Sequence, residues 1–239
     1  MLDLKHLAII MDGNRRWARQ NLRPKSLGHK KGAETAQNII KWCKQLAIPM
    51  VTLYAFSTEN WQRSQKEVEN LLDLLRSYLQ ENGQKFTQEN IAFKAVGDVS
   101  RFPKDIQQNI YKLQEETAHN KQLKLNIALN YGSLDEVVWA VNRILQEYQR
   151  NIIENKDKRD NIAKISSYEE FAKYLHLSES PDLLIRTGGQ MRLSNFLLLQ
   201  SAYTEFYFTK TLWPDFSQQD FMVAIEEFKN RKRNFGKET

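Results

Sequence analysis

The sequence predicts an α/β fold: a central, largely parallel six-stranded sheet flanked by helices. Three observations carry that prediction. Apolar runs of strand length alternate along the chain with stretches of helical periodicity. Residues able to do chemistry gather just after the strand-like runs, where open α/β sheets bind their ligands. No internal repeat competes with this pattern.

The elements follow in order. His6 to Met11 is the first apolar run, and Ala36, Ile39, Ile40, Cys43, Leu46 and Ala47 then recur at helical spacing. Val51 to Phe56 is the second strand; Val68, Leu71, Leu72, Leu75, Tyr78 and Leu79 mark the next amphipathic helix. Ile91 to Val96 and Leu123 to Leu129 are the third and fourth strands, and Val138, Val141, Leu145 and Tyr148 repeat the helical pattern. Leu183 to Arg186 and Glu205 to Phe208 complete the sheet, and Phe221, Ala224, Ile225 and Phe228 close the chain with a helix. Arg150 to Lys164, rich in Asn, Lys and Asp, reads as a solvated loop or helix end, not a linker, so residues 1–239 are expected to form one domain.

Composition narrows the class. Of 239 residues, 41% are hydrophobic and 27% charged, which is ordinary globular composition. The net charge of +6 suits an anionic partner without choosing among nucleic acid, lipid headgroup and phosphorylated metabolite. Cys43 is the only cysteine, which excludes an intramolecular disulfide framework and a thiolate zinc site and points to a reducing compartment. It lies on an apolar helix face and reads as a core residue. No apolar run reaches membrane-spanning length. The P-loop, dinucleotide, nucleophile-elbow and paired-aspartate motifs are all missing, and the four histidines lack metal spacing.

Three strand ends carry the candidate chemistry. After the first come Asp12, Gly13, Asn14, Arg15, Arg16 and Trp17: a glycine for close backbone approach, a hard carboxylate suited to Mg²⁺, and arginine for an anion. After the second come Ser57, Thr58, Glu59, Asn60, Trp61 and Arg63, where a local helix cap is the alternative reading. After the fifth, Arg186 and Arg192 flank Gly188–Gly189 with Ser194 close behind, a set suited to clamping a diphosphate. His29 sits near the start of the first long helix, and Glu205, in apolar company, needs either a cation or a metal ion shared with Asp12.

Taken together, the segments 6–14, 28–30, 53–61, 125–132, 182–189, 192–198 and 212–216 closely resemble the cis-prenyltransferase family, in its undecaprenyl diphosphate synthase branch. The resemblance runs in order from about His6 to Gly236. It implies a Mg²⁺-dependent enzyme that adds isopentenyl diphosphate units to an allylic diphosphate such as farnesyl diphosphate with cis geometry. The implied product is a long-chain Z-polyprenyl diphosphate, undecaprenyl diphosphate, the lipid carrier precursor of bacterial cell-wall synthesis. It also implies a homodimer with a hydrophobic tunnel between helices and sheet.

Carried over residue by residue, the resemblance makes Asp12 and Asn60 catalytic. It places Gly13, Asn14, Arg15, Arg16, Trp17, Lys25, His29, Ser57, Glu59, Trp61 and Arg63 around the allylic diphosphate. Arg186, Arg192 and Ser194 would bind isopentenyl diphosphate, with Asp12 and Glu205 as metal-associated carboxylates. Four departures stand out: Lys25 where relatives carry arginine, Gln190 and Met191 where many carry Glu and His, Ser64 for a common proline, and Arg15 where glycine is common. The tunnel wall is expected from the face of Val68, Leu72, Leu75 and Leu79. An apolar product implies a cytoplasmic enzyme that touches the inner face of the membrane transiently, without an anchor of its own. A silent partner subunit is disfavoured because Asp12 is intact. A nucleic-acid binder is disfavoured because only the overall basicity and Arg231, Lys232 and Arg233 suggest one.

Overall fold

The computed structural model describes residues 2–154 and 165–231. Six strands, β1 (His6–Ile10), β2 (Met50–Ser57), β3 (Ile91–Val96), β4 (Leu123–Tyr131), β5 (Leu183–Arg186) and β6 (Glu205–Phe208), form one sheet in the order β3-β4-β2-β1-β5-β6. All five pairings are parallel. A parallel sheet is covered on both faces, which is why β1 reads as an unbroken apolar run; all five of its residues are buried. The six strands fall where the sequence places them, differing only by a residue or two at some ends.

The chain fills one side of β1 with β2, β4 and β3, then crosses over to β5 and β6 on the other. The reversal opens a crevice beyond the carboxyl ends of β1 and β5, and both diverging loops carry candidate residues into it.

Around the sheet lie α1 (Asn14–Gln20), α2 (Lys25–Gln45), α3 (Gln65–Gln88), α4 (Lys104–Thr117), α5 (Ser133–Glu154), α6 (Tyr168–Ala172) and α7 (Gln218–Asn230). The periodic segments became α2, α3, α5 and α7. The helix α7 starts with a capping box in which the backbone N–H of Asp220 donates to the Ser217 hydroxyl and the Asp220 carboxylate accepts from the Ser217 N–H. The other three helices were not expected. Among them, α1 and α6 are too short to show a period, and α4 buries a narrow stripe of Ile106, Ile110 and Leu113 interleaved with buried Gln107 and Thr117.

The main core packs Ile39, Ile40 and Cys43 of α2, Phe86 of α3, Ile106 and Ile110 of α4, and Phe221 and Ile225 of α7 against the sheet. Each such side chain contributes roughly 1.5–3 kcal/mol on burial. Burial also pushes the Cys43 thiol pKa well up, consistent with a core residue. On the opposite face, Phe196, Leu197, Leu177 and Tyr131 cover β1, β4 and β5.

A buried polar chain crosses the sheet: His6 Nε2 lies 2.7 Å from Thr52 Oγ1, which also accepts from Asn126 Nδ2 at 3.0 Å. Burial lowers the His6 pKa to about 4. The stripe Val138, Val141 and Leu145, joined by Leu134, is exposed on α5, while Glu136 and Ala140 face inward. Residues 155–164, most of the expected seam, and Lys232, Arg233 and Gly236 lie outside the described residues.

Candidate active site

Asp12 follows β1 at the crevice. Its backbone carbonyl accepts from the Thr187 hydroxyl at 2.7 Å and the Trp213 N–H at 3.1 Å, which fixes the turn. Gly13, with φ 127°, then starts α1 in a conformation that disfavours other residues. The Asp12 carboxylate is held from both sides, Oδ1 by Arg16 Nη2 and Oδ2 by Arg186 Nη2, each at 3.0 Å.

Arg186 is 4% exposed. It donates to Ser194 Oγ at 2.8 Å and to the Arg192 carbonyl. Arg16 also donates to the Gly188 carbonyl at 2.6 Å. The loops after β1 and β5 therefore meet as one polar unit, as the strand-end reading requires. The loop that presents Ser194 is unusual in its backbone: Ser194, Asn195 and Leu197 have φ of 50°, 61° and 48°. Asn195 anchors it by accepting from the Leu134 N–H at 2.9 Å and donating to Glu59 at 3.1 Å.

Beside Asp12 opens a polar cavity of about 620 Å³ lined by Gly13, Asn14, Arg15, Arg16, Arg19, Arg23, Lys25, His29 and Arg63. Six cations around one cavity make a site for a polyanion. Among the described residues His29 Nε2 is buried without a partner, and burial, with Arg63 nearby, lowers its pKa to about 4. Glu67, which the sequence reading did not single out, is reached by Arg63 at 3.0 Å, Lys25 at 3.4 Å and Arg15 at 3.6 Å.

A second, apolar cavity of about 120 Å³ shares Met11, Asn14 and His29 with the first and runs between α2, α3 and the sheet. Its wall includes Ala36, Leu53, Phe56, Leu71, Leu74, Leu75, Tyr78 and Leu129. Of the four wall residues expected on α3, only Leu75 lines it. Leu79 is core instead, because the face toward the sheet is rotated from the one expected.

Other expectations are also corrected. Glu205 is level with Leu183 and so with Leu7, at the opposite rim of the sheet from Asp12. Within one chain the two carboxylates cannot hold one ion; Glu205 is instead paired with Arg231 at 2.9 Å. The Trp17 indole turns away from the cavity to donate to Asp215 at 2.6 Å. In the β2 loop only Arg63 reaches the cavity wall. Asn60 and Ser57 bind each other, Nδ2 to Oγ at 2.9 Å and the Ser57 N–H to Oδ1 at 3.3 Å, so the local cap is present. Trp61 packs on Phe56 and Phe102 and donates to Asn130 at 2.8 Å. Arg192 lies beside the crevice, its guanidinium donating to Gln190 at 2.5 Å.

A hard dication suits the donors at hand. Asp12 offers a carboxylate to the crevice, and Asn14 in the same wall has a buried amide oxygen without a partner among the described residues. Mg²⁺ commonly uses one or two carboxylates and completes its shell with phosphate and water oxygens. Among the described residues no three His, Cys, Asp or Glu side chains cluster as a metal site of their own.

A cation-lined cavity that shares wall residues with an apolar one, at the switch point of a parallel sheet, defines a protein suited to amphiphilic polyanions. Residues 10–236 match the family model described as undecaprenyl diphosphate synthase. An isoprenyl transferase of Wolinella succinogenes is 44% identical, covering 98% of this chain and 97% of the relative. One of Fusobacterium nucleatum is 43% identical over 97% and 95%. Lavandulyl diphosphate synthase from Lavandula x intermedia, solved with dimethylallyl diphosphate, superposes with a TM-score of 0.88 at 33% identity, covering 99% of both chains. A probable undecaprenyl diphosphate synthase from Campylobacter jejuni gives 0.79 at 36% identity, covering 99% and 100%. The chain belongs to the undecaprenyl diphosphate synthase family of prenyltransferases.

Proposed function

We propose that the chain, acting as one catalytic domain, condenses isopentenyl diphosphate with an allylic diphosphate such as farnesyl diphosphate, repeatedly and with cis geometry, to give undecaprenyl diphosphate for cell-wall synthesis. The observation that carries this reading is that the two cavities adjoin, with Met11, Asn14 and His29 in the walls of both. A diphosphate among the cations sends its prenyl tail into the apolar space.

In this reading Arg15, Arg16, Lys25, His29, Arg63 and the backbone N–H groups near Gly13 hold the allylic diphosphate. Arg186, Ser194 and Arg192 hold the isopentenyl diphosphate. The allylic C–O bond breaks with its electron pair leaving on diphosphate, a C–C bond forms to the isopentenyl double bond, and one proton is lost. Cations aimed at the leaving oxygens lower the barrier because charge grows there in the transition state. Asp12 would hold Mg²⁺, which when bound adds charge neutralisation to the departing diphosphate. Asn60 orients the departing proton once the Ser57–Asn60 pair opens.

Each CH₂ moved from water into the apolar cavity contributes about 0.8 kcal/mol, which drives the tail inward. The cavity of about 120 Å³ is far below the size of ordinary ligand pockets, so a long product requires the space between α2, α3 and the sheet to widen. The exposed α5 stripe supports a homodimer. No helix among the described residues is long and apolar enough to cross a membrane, and the product's insolubility supports transient contact of a cytoplasmic enzyme with the membrane surface.

The test is incubation with farnesyl diphosphate, radiolabelled isopentenyl diphosphate and Mg²⁺, followed by chromatography. A ladder ending at the eleven-unit product is expected. A folded protein that does not elongate refutes the catalytic reading, and a short product refutes the chain length.

A further inference from the structure

Glu67 is in the first turn of α3, its side chain 8% exposed, yet it belongs to none of the three strand-end clusters. Three cations from three different segments converge on it: Arg15 of α1, Lys25 at the start of α2, and Arg63 from the turn before α3. All three also line the polar cavity. Among the described residues, none of the three has another acidic partner within ion-pair distance. Burial would raise the Glu67 pKa, but the Arg15, Arg63 and Lys25 charges outweigh it and hold the carboxyl below its usual range.

The geometry of the contacts is informative. Lys25 and Arg15 stand at 3.4 and 3.6 Å, longer than the 2.7–2.9 Å of a tight charge-assisted hydrogen bond. Arg15 approaches through Nε, so the two outer nitrogens of its guanidinium are not used in this contact. The cations are gathered without being saturated. Long cationic side chains 56% and 50% exposed, as in Lys25 and Arg15, otherwise repel one another and spread through many rotamers.

We propose that Glu67 is a positioning residue that converges Arg15, Lys25 and Arg63 on the entering diphosphate and yields them to it. The proposal rests on the reading of the polar cavity as a diphosphate site and names the group that prepares it. It also accounts for how Lys25, a point charge without the guanidinium fork, is kept in place.

Simple electrostatics and positioning predict opposite signs, which makes the test decisive. Removing a negative charge next to an anion site strengthens anion binding if Glu67 only competes for the cations. It weakens binding if Glu67 organises them. Calorimetric titration with inorganic pyrophosphate, on the full chain at fixed ionic strength, measures the difference without any prenyl transfer. Glu67→Gln is expected to weaken pyrophosphate binding at least threefold. Lys25→Met is expected to weaken it at least tenfold in the wild-type background but less than threefold in the Glu67→Gln background, the non-additivity of residues acting as one unit.

Tighter binding by Glu67→Gln, or equal costs of Lys25→Met in both backgrounds, overturns the proposal. If Glu67→Gln does not fold, Glu67→Asp, which keeps the charge and withdraws it by one methylene, decides by the same sign. A wild-type chain that binds pyrophosphate but does not elongate refutes the proposed reaction and leaves this inference standing.

Discussion

Asp12 is the residue on which the crevice converges, since its two oxygens are shared between Arg16 and the buried Arg186. Truncating it would strand a buried guanidinium, so the informative change is Asp12→Asn, which keeps the shape and one acceptor. Turnover is expected to fall by at least about a hundredfold, the scale of losing a key electrostatic group, while the melting temperature stays within a few degrees; steady-state kinetics and calorimetry measure both. Gly188 is the second telling position. Its φ is 82°, and a Cβ there would lie 2.4 Å from Arg16 Nη2 and 2.8 Å from the Asp12 carbonyl oxygen. Gly188→Ala is therefore expected to cost about 1–3 kcal/mol of stability and to weaken pyrophosphate binding by displacing Arg16, both readable by denaturant titration and calorimetry.

At the scale of elements, α5 carries an apolar stripe, Leu134, Val138, Val141 and Leu145, that nothing in the chain covers among the described residues. Val138→Glu with Leu145→Glu is expected to convert a dimer to monomers in analytical ultracentrifugation; a double variant that sediments like the wild type removes the assignment of that face. The strands were legible because they are short, mostly apolar runs, unbroken in the doubly covered β1 and carrying polar residues in β3, β4 and the edge strand β6. Asp12, Arg186 and Ser194 were legible as a site for a related reason, since residues just past such runs share one rim. What escaped had no such signature. Glu67 looks like any first-turn acid of a helix, and only folding brings Arg15 and Lys25 to it. The Glu205 assignment failed because Glu205 opens β6, and the parallel pairing of β6 with β5 puts a strand's first residue at the rim opposite the crevice. The wall on α3 was misplaced by a small rotation, to which a helical period with many apolar positions is insensitive.

For the molecule as a whole, acid stability follows from its histidines. Burial holds His6, His29 and His176 at about 4, against an ordinary 6.5. Between those values the unfolded chain binds more protons than the native one, so native stability is complete above pH 6.5 and declines as the pH falls toward 4. His6, enclosed between strands, accounts for on the order of 3 kcal/mol of this at the acid end. Denaturant midpoints measured from pH 7.5 down to 4.5 should fall steadily, and His6→Gln should flatten the slope.

The pairing of β1 with β5 joins His6–Ile10 to a strand that begins at Leu183. During synthesis the amino-terminal half leaves the ribosome long before its eventual neighbour exists, with one edge of β1 bare and Asp12 lacking its Arg186 partner. The crevice between β1 and β5 is thus completed late even though its cations are made early, and a prematurely terminated chain is expected to lack turnover and to be prone to aggregate.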